Sequence, residues 1–206
     1  MAGIEAEAIR ASLNQLAKRD GKIAAALAHA GYPDPRVNER GYVTLLRTIV
    51  GQQVSLASAR AIWTKLEAAI GRADDPALLA QATDEALRSA GLSRQKMSYS
   101  RSLAEEVSSG RLNLEQLPAD DEAAIAELVR IKGIGRWSAE IYLLFAEGRQ
   151  DVWPAGDLAV QIAMGRILGL PEKPAERQLR ELAEPWRPHR GPLAIFAWHF
   201  YKTPVL

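Results

Sequence analysis

The residues of greatest chemical interest lie within positions 128–141 and at an acid that follows them, Asp157. Gly133 and Gly135 separate an apolar helical pattern from a new helical pattern rich in small residues. A helix start leaves amide N–H groups without partners, and the helix dipole adds partial positive charge there, so glycines let a phosphate approach. The segment predicts a helix-hairpin-helix that binds a nucleic-acid backbone without reading its sequence. The alternative is a glycine-capped turn between two packed helices.

Asp157 ends a loop rich in proline and glycine, over residues 151–157, and precedes another apolar helical pattern. We therefore expect Asp157 at or next to a helix N-terminus, where Asp is also a common capping residue. The loop follows the second hairpin helix by only a few residues. The carboxylate is therefore expected near the nucleic acid that the hairpin binds.

Hairpin, loop and aspartate in this order resemble the helix-hairpin-helix superfamily of DNA glycosylases and, more narrowly, the 3-methyladenine DNA glycosylase II family. Four blocks carry the resemblance: IVGQQVSLASA, IKGIGRWSAEIY, DVWPAGDLAVQ and WRPHRGPLAIFAWH, at residues 49–59, 131–142, 151–161 and 186–199. The resemblance implies an all-α fold of two helical lobes with the active site in a cleft between them. The central lobe is expected over about residues 44–149, and the second lobe over about 1–43 and 150–206. We expect the helical core without the N-terminal β domain that many bacterial members carry.

The resemblance also implies the reaction. A monofunctional DNA glycosylase rotates an alkylated base, such as 3-methyladenine, 7-methylguanine or ethenoadenine, out of duplex DNA and hydrolyses its N-glycosidic bond. Asp157 is then the catalytic carboxylate, which stabilises an oxocarbenium-like sugar or deprotonates water. Bifunctional members have a lysine nucleophile just after the hairpin, where this chain has Trp137. No lyase activity is therefore expected.

Trp137 and Trp198 match aromatic positions that line the base pocket of the family, where a cationic alkylated purine stacks favourably. Core packing is the alternative for each of them. Gln52 and Tyr142 are further pocket candidates. Tyr142 lies one residue beyond the matching position, Ile141, which turns a helical side chain by about 100°.

The remaining assignments concern the DNA backbone and the base stack. Gln53 matches the wedge that fills the gap left by the base; the alternative is an exposed loop amide. The residues expected to contact phosphate are Lys132, Gly133, Ile134 and Gly135. Family hairpins also hold a monovalent cation, Na⁺ or K⁺, by main-chain carbonyls, and the matching positions are Val129, Ile131 and Ile134.

Composition sets outer limits. The chain has 206 residues, no cysteine and a net charge of only +1, so DNA affinity must come from a local patch and backbone amides. The absence of cysteine excludes disulfides, zinc-thiolate sites and a cysteine-ligated iron–sulfur cluster. No apolar run reaches membrane-spanning length. We expect a soluble monomer that binds double-stranded DNA and needs no catalytic cofactor, cytoplasmic at the nucleoid in a bacterium or nuclear in a eukaryote.

Helical patterns cover most of the chain, beginning with a first helical region that ends at Gly31. Capping residues predict further helix starts at Ser55, Asp75, Thr83, Ser93 and Asp120, and Pro192 is expected before the last helix. Three other functions compete with the monofunctional glycosylase. A non-catalytic helix-hairpin-helix DNA-binding protein has no use for Asp157. A lyase or mispair glycosylase is disfavoured by Trp137 and by the missing cysteines. A helical protein-interaction module does not explain the hairpin.

Overall fold

The structure is a computed structural model that describes residues 3–204. Within this range the chain forms twelve α-helices, one short 3-10 turn at Glu184–Trp186 and no β-strand, which confirms the all-α class. No helix of the described part is both long enough and apolar enough to cross a membrane. In chain order the helices are α1 (Ala6–Arg19), α2 (Gly21–Ala30), α3 (Tyr42–Gly51), α4 (Leu56–Ile70), α5 (Pro76–Gln81), α6 (Asp84–Ser89), α7 (Arg94–Ser108), α8 (Asp121–Leu128), α9 (Arg136–Phe145), α10 (Leu158–Leu168), α11 (Glu176–Leu182) and α12 (Arg190–Lys202).

Local side-chain hydrogen bonds explain where many of these helices begin. A polar side chain at the capping position accepts a backbone N–H from the first turn, which satisfies a donor that the helix itself cannot. The predicted starts are confirmed at α4, α5, α6, α7 and α8, whose capping residues are Ser55, Asp75, Thr83, Ser93 and Asp120.

Two helix boundaries differ from the sequence prediction. The first helical region is divided at Asp20, whose carboxylate accepts the N–H groups of Lys22 and Ile23 and so begins α2. Pro192 lies within the first turn of α12 and does not precede it. A proline is tolerated there because the N–H groups of the first turn have no partner inside the helix.

The chain divides into two compact units: unit 1 comprises residues 1–38 and 143–206, and unit 2 comprises residues 39–142. The division falls within α9, so residues 143–149, expected in the central lobe, belong to unit 1. Backbone hydrogen bonds join this part of the chain to the rest of unit 1. The Asn38 N–H donates to the Phe145 carbonyl at 2.9 Å, and the Gly191 N–H donates to the Gln150 carbonyl at 2.8 Å.

In unit 1, α10 packs against α12 and α2, and α1 packs against α2 and α12. The apolar side chains at the centre are almost fully buried: Ile9, Leu13, Ile23, Met164 and Phe196. This packing fixes α10, whose first turn follows Asp157, against α12, which carries Trp198.

In unit 2, α7 packs against α3 and α5, and α3 packs against α4. Its centre is formed by fully buried side chains from three of these helices: Leu45, Leu46, Ile49, Leu79 and Leu103. The Lys96 ammonium donates at 2.7 Å to the carbonyl of Val50, in the last turn of α3. This bond satisfies a carbonyl that the end of a helix leaves without a partner, and it ties α7 to the turn after α3.

Candidate active site

The predicted hairpin lies between α8 and α9. Ile131 and Ile134 are buried, at 1% and 3% exposed. The Ile131 N–H donates to the Leu128 carbonyl at 3.2 Å, and the Ile134 N–H donates to the Ile131 carbonyl at 3.0 Å. With one side of the turn anchored in this way, Lys132 and Gly135 are left exposed to solvent.

The two hairpin glycines are required for different reasons. Gly133 has a φ of +84°, and a methyl group added there would overlap the ring of Tyr99. A methyl group on Gly135 would meet no heavy atom within 4 Å. We expected both glycines to admit a phosphate. Of the two, only Gly135 has open space beside it. Glycine is required at position 133 because of the left-handed backbone conformation and the nearby Tyr99 ring.

Gly135 also begins α9, because its carbonyl accepts the first helical bond, from the N–H of Ala139 at 3.0 Å. A glycine in this position offers no side-chain acceptor to the N–H groups of the first turn. The helix start at Gly135 therefore combines open space with amide donors that its own side chain does not cap. These are the two properties that anion binding needs.

Lys132 has an exposed side chain, but its backbone N–H donates to the Ser102 hydroxyl at 3.1 Å. That N–H is therefore used within unit 2, and Lys132 can offer its ammonium group to a phosphate.

A polar cavity of about 430 Å³ lies beside Lys132. Side chains of both charges line it, among them Asp84, Arg94, Arg101, Glu105, Glu106 and Arg130. Arg101 pairs with Asp84 at 2.5 Å. A cavity lined by guanidinium and carboxylate groups lacks the apolar surface that a flat base requires. We therefore do not assign it as the base pocket.

The three carbonyls expected to hold a monovalent cation belong to the hairpin turn. The Ile131 carbonyl already accepts the Ile134 N–H. A carbonyl oxygen has two lone pairs, so this bond leaves one for an ion. Within residues 3–204 no cluster of three or more His, Asp or Glu side chains could hold a metal ion. The donors are neutral oxygens, which fit a weakly bound ion, and the ion stays a prediction.

The turn after α3 carries Gln52 and Gln53, which differ in exposure and in their contacts. Gln53 has a φ of +55°, the only positive φ of a non-glycine residue among residues 3–204, and it is exposed. Gln52 is half-buried, and its amide nitrogen donates to the Gly133 carbonyl at 2.9 Å. The structure thus brings Gln52 to the hairpin, although we expected its side chain to line the base pocket.

Two apolar side chains beside Gln53 were missed by the sequence analysis. Val54 is 38% exposed, and Leu56, the first residue of α4, is 81% exposed. The signal in the sequence was the predicted cap at Ser55, because a turn that leads into a helix start lies at the protein surface. The tip of this turn is therefore apolar as well as polar.

Two pocket candidates lie on α9, and their exposure differs. Trp137 is 48% exposed, so its ring has an accessible face. Tyr142 is 3% exposed, and its hydroxyl accepts the N–H of Gly41 at 2.8 Å. This placement favours a packing role for Tyr142, which was expected in the pocket. A shift of one residue along the helix accounts for the difference.

Arg136, beside Trp137, is occupied by two carboxylates. Its guanidinium forms a two-pronged ion pair with Glu122 and bonds the buried Glu140 at 2.9 Å. The hydrogen bond to Glu122 is the main reason that the pKa of Arg136 is raised. Because its donors are committed in this way, Arg136 fixes the start of α9 and is a poor candidate for a phosphate contact.

Asp157 begins α10, as expected. Its Oδ1 accepts the Val160 N–H at 3.0 Å, which is the capping bond. The same oxygen accepts the indole N–H of Trp198, also at 3.0 Å. Two donors from two helices therefore fix the carboxylate, and the half-exposed side chain remains reachable from solvent. The bond to Trp198 was not foreseen.

Trp198 has a second contact, with the ring of Phe145 at a centroid distance of 5.4 Å. Its indole is thus held by a ring on one side and by the carboxylate of Asp157 at its nitrogen. We expected Trp198 to stack on a base. The structure shows these two contacts, and stacking on a base stays a prediction.

The loop before Asp157 is held at several points. Gln161 is buried and lies one turn beyond the cap, and its side-chain amide donates to the Ala155 carbonyl at 2.8 Å. At the start of the loop, Asp151 accepts from Arg187 at 2.6 Å and from Arg190 at 2.9 Å. A loop held at both ends places Asp157 without relying on the cap alone.

The predicted site residues therefore form two groups. In unit 1 the structure brings Asp157 and Trp198 together. In unit 2 it brings Gln52 to the hairpin, with Gln53 adjacent in the chain and Trp137 at the start of α9.

Comparison with known proteins shows the family of this chain. Residues 46–188 match the sequence profile described as "HhH-GPD superfamily base excision DNA repair protein". This match covers more than half of the chain and includes the hairpin, the loop and Asp157. The chain belongs to the HhH-GPD superfamily.

Individual members of the superfamily are similar over most of this chain. DNA-3-methyladenine glycosylase 1 of Schizosaccharomyces pombe is 30% identical over 169 residues, which cover 80% of this chain and 73% of that protein. The crystal structure of a DNA-3-methyladenine glycosidase from Bacillus halodurans superposes with a TM-score of 0.83 at 31% identity, covering 93% of this chain and 89% of that one. The structure of S. pombe Mag1 in complex with abasic DNA gives a TM-score of 0.76 at 27% identity, covering 91% and 94%.

Other relatives in the superfamily are longer. The alignment covers 62% of the Bacillus subtilis protein YfjP and 55% of DNA-3-methyladenine glycosylase 2 of Escherichia coli. The similarity therefore concerns the helical region that this chain shares with them.

The different tasks of the two hairpin glycines predict different effects on stability. Gly133→Ala should lower the free energy of unfolding by about 2 kcal/mol or more, since it strains a left-handed residue and displaces Tyr99. Gly135→Ala should lower it by less than about 1 kcal/mol, the difference between Gly and Ala at a helix start. Urea denaturation measures both.

A double variant separates the backbone strain at position 133 from the overlap with the Tyr99 ring. Adding Tyr99→Ala to Gly133→Ala removes the overlapping ring, so the combined loss should be smaller than the sum of the single losses. A Gly133→Ala protein as stable as the wild type would contradict this account of the hairpin.

Proposed function

We propose that this chain is a monofunctional DNA glycosylase that removes alkylated bases from double-stranded DNA. The observation that carries the proposal is the Asp157 carboxylate, held at a helix start by the Val160 N–H and the Trp198 indole. Capping alone would not require a second donor from another helix. Membership of a base excision repair superfamily and the names of the relatives support the same reaction.

In the proposed reaction the damaged nucleotide leaves the base stack, because the sugar carbon cannot be attacked inside a duplex. The bond between the sugar carbon and the base nitrogen breaks, and the base leaves with the electron pair. The sugar becomes oxocarbenium-like, and Asp157 stabilises that charge. Water adds to the sugar carbon and passes its proton to Asp157 or to solvent. The products are a free base and an abasic site.

The choice of alkylated substrates follows from charge. A base such as 3-methyladenine or 7-methylguanine is cationic, so its glycosidic bond is already weakened and it leaves as a neutral molecule. The exposed ring of Trp137 supports recognition of such a base. A cation stacked on an indole gains about 0.5–2 kcal/mol. Ethenoadenine, which is flat and larger, is a further candidate substrate.

DNA binding in this proposal is assigned to the surface of unit 2. The open helix start at Gly135 and the exposed ammonium of Lys132 would contact phosphates, and the turn at Gln53 would fill the vacated stack. Val54 and Leu56 give this turn apolar surface, which suits contact with bases and sugars. A monovalent cation on the hairpin carbonyls would support the turn and takes no part in the reaction. We propose that the enzyme acts as a monomer, in the compartment that holds the DNA.

The function is tested by release of free base from methylated duplex DNA, with Asp157→Asn as the decisive variant. Release should fall roughly 100-fold or more, since the charge that stabilises the sugar is removed. Affinity for the duplex and stability should be kept, because Asn caps a helix as well as Asp does.

The matched control for Asp157→Asn is Glu176→Gln, which removes a carboxylate that lies next to the same loop, at Gly156. The control should release base at the wild-type rate. Normal release by Asp157→Asn would remove Asp157 from the reaction and favour a non-catalytic DNA-binding protein.

The bond between Trp198 and Asp157 leads to a separate prediction. Trp198→Phe keeps an aromatic ring but removes the N–H donor, so base release should fall roughly 10- to 100-fold, as expected for a lost hydrogen bond to a charged group. Single-turnover kinetics on methylated duplex measures the change. Duplex affinity should stay constant.

The control is Trp63→Phe, since the buried indole N–H of Trp63 has no hydrogen-bond acceptor in the described part of the chain. This control should retain full activity. Equal losses in both variants would mean that the indole of Trp198 serves packing only.

The absence of a lysine at position 137 predicts the product. The wild-type enzyme should leave an abasic strand that breaks only after alkali or heat, and borohydride should trap no covalent complex, since no imine forms. Gel electrophoresis of an end-labelled strand shows both. Strand breaks without alkali, together with a trapped complex that Lys132→Ala abolishes, would reveal a lyase that uses Lys132.

A further inference from the structure

The amide of Gln52 is directed at the protein. Gln52 lies at the end of α3, and its nitrogen donates to the carbonyl of Gly133, which is 81 positions away in sequence. Gly133 is the left-handed residue at the centre of the hairpin. The bond therefore joins the turn that carries Gln53 to the turn that carries Gly135.

Helix α7 braces the same two turns with three side chains, at positions 96, 99 and 102. Lys96 donates to the Val50 carbonyl in the last turn of α3. The ring of Tyr99 lies against Gly133, and the hydroxyl of Ser102 accepts the N–H of Lys132. A spacing of three residues places these side chains on one face of a helix. One face of α7 thus holds both turns, and the Gln52 bond closes the arrangement.

The bond has a consequence for Gln53. A non-glycine residue with positive φ is held in a conformation that L-amino acids disfavour. Its direction therefore depends on fixed neighbours. Gln52, the preceding residue, is held at the hairpin by its side chain, so this bond fixes the chain immediately before Gln53.

We propose that Gln52 is a positioning residue that couples the phosphate-binding hairpin to the gap-filling turn. It acts through Gly133 and Gln53 and does not contact the base. The proposal rests on the proposed function for the meaning of those two turns. It predicts that DNA binding through the hairpin and filling of the gap are lost together when the bond is broken.

The first measurement needs no DNA. Amide hydrogen exchange in residues 131–136 should become about fivefold faster in Gln52→Ala, the effect of one hydrogen bond of ordinary strength. Gln52→Glu, which has the same shape but lacks the N–H donor when ionised, should show at least the same change. Gln53→Ala is the matched control and should leave exchange in the hairpin unchanged. Thermal unfolding of each variant checks that the fold is kept.

The second measurement compares affinities for undamaged duplex and for duplex with an abasic analogue. Gln52→Ala should weaken both about fivefold, whereas Gln53→Ala should weaken only the second. A 2-aminopurine opposite the abasic analogue reports gap filling by its fluorescence, and both variants should alter that signal. In a Gly135→Ala background the effect of Gln52→Ala on undamaged duplex should shrink towards none, because the two act through one hairpin.

The outcomes are distinct. Gln52→Ala could lower affinity only for the abasic duplex, by an amount undiminished in the Gly135→Ala background; this would show that Gln52 contacts the DNA directly. Amide hydrogen exchange in residues 131–136 could also be unchanged in Gln52→Ala, which would show that the bond does not stabilise the hairpin. Either result overturns the proposal. Wild-type protein that releases no alkylated base overturns the proposed function alone, because hydrogen exchange and undamaged-duplex affinity involve no lesion.

Discussion

The start of an α-helix is the constraint on which the site depends. Amide N–H groups in the first turn have no partner within the helix, and they must be satisfied by a side chain, by solvent or by a ligand. The residues that precede α9 and α10 treat these N–H groups in opposite ways. Gly135 offers no side-chain acceptor at α9, whereas Asp157 caps α10 with its carboxylate. One start is thereby suited to an anion, and the other carries one.

Asp157 shows how a common structural residue can be positioned for the proposed reaction. An aspartate at a helix start is ordinary, and its capping bond to Val160 would be enough for stability. The indole of Trp198 adds a second donor at 3.0 Å to the same oxygen. Additional hydrogen bonds hold the carboxylate in one orientation, and a fixed negative charge stabilises a cationic transition state better than one that must reorient.

The hairpin owes its shape to more than its own sequence. Gly133 adopts a left-handed conformation under the ring of Tyr99, its carbonyl accepts the amide of Gln52, and the neighbouring Lys132 N–H is satisfied by Ser102. Each of these partners lies outside the hairpin. A turn supported in this way presents its exposed side in a fixed geometry, which phosphate binding requires because the backbone amides cannot adjust as side chains do.

The sequence by itself determined the features that depend on neighbours within a few positions. Capping bonds such as those of Ser55 and Asp157 span three residues, so they can be read from the chain. The all-α class follows from the same local patterns.

Tertiary structure decided the contacts that join distant segments. The partners of Trp198 and Gln52 lie 41 and 81 positions away, and the ring over Gly133 comes from another helix. Whether the side chain of Tyr142 was exposed or buried also depended on its neighbours in space. Helix packing sets such pairings, and a helical pattern specifies which face is apolar without specifying what that face will meet.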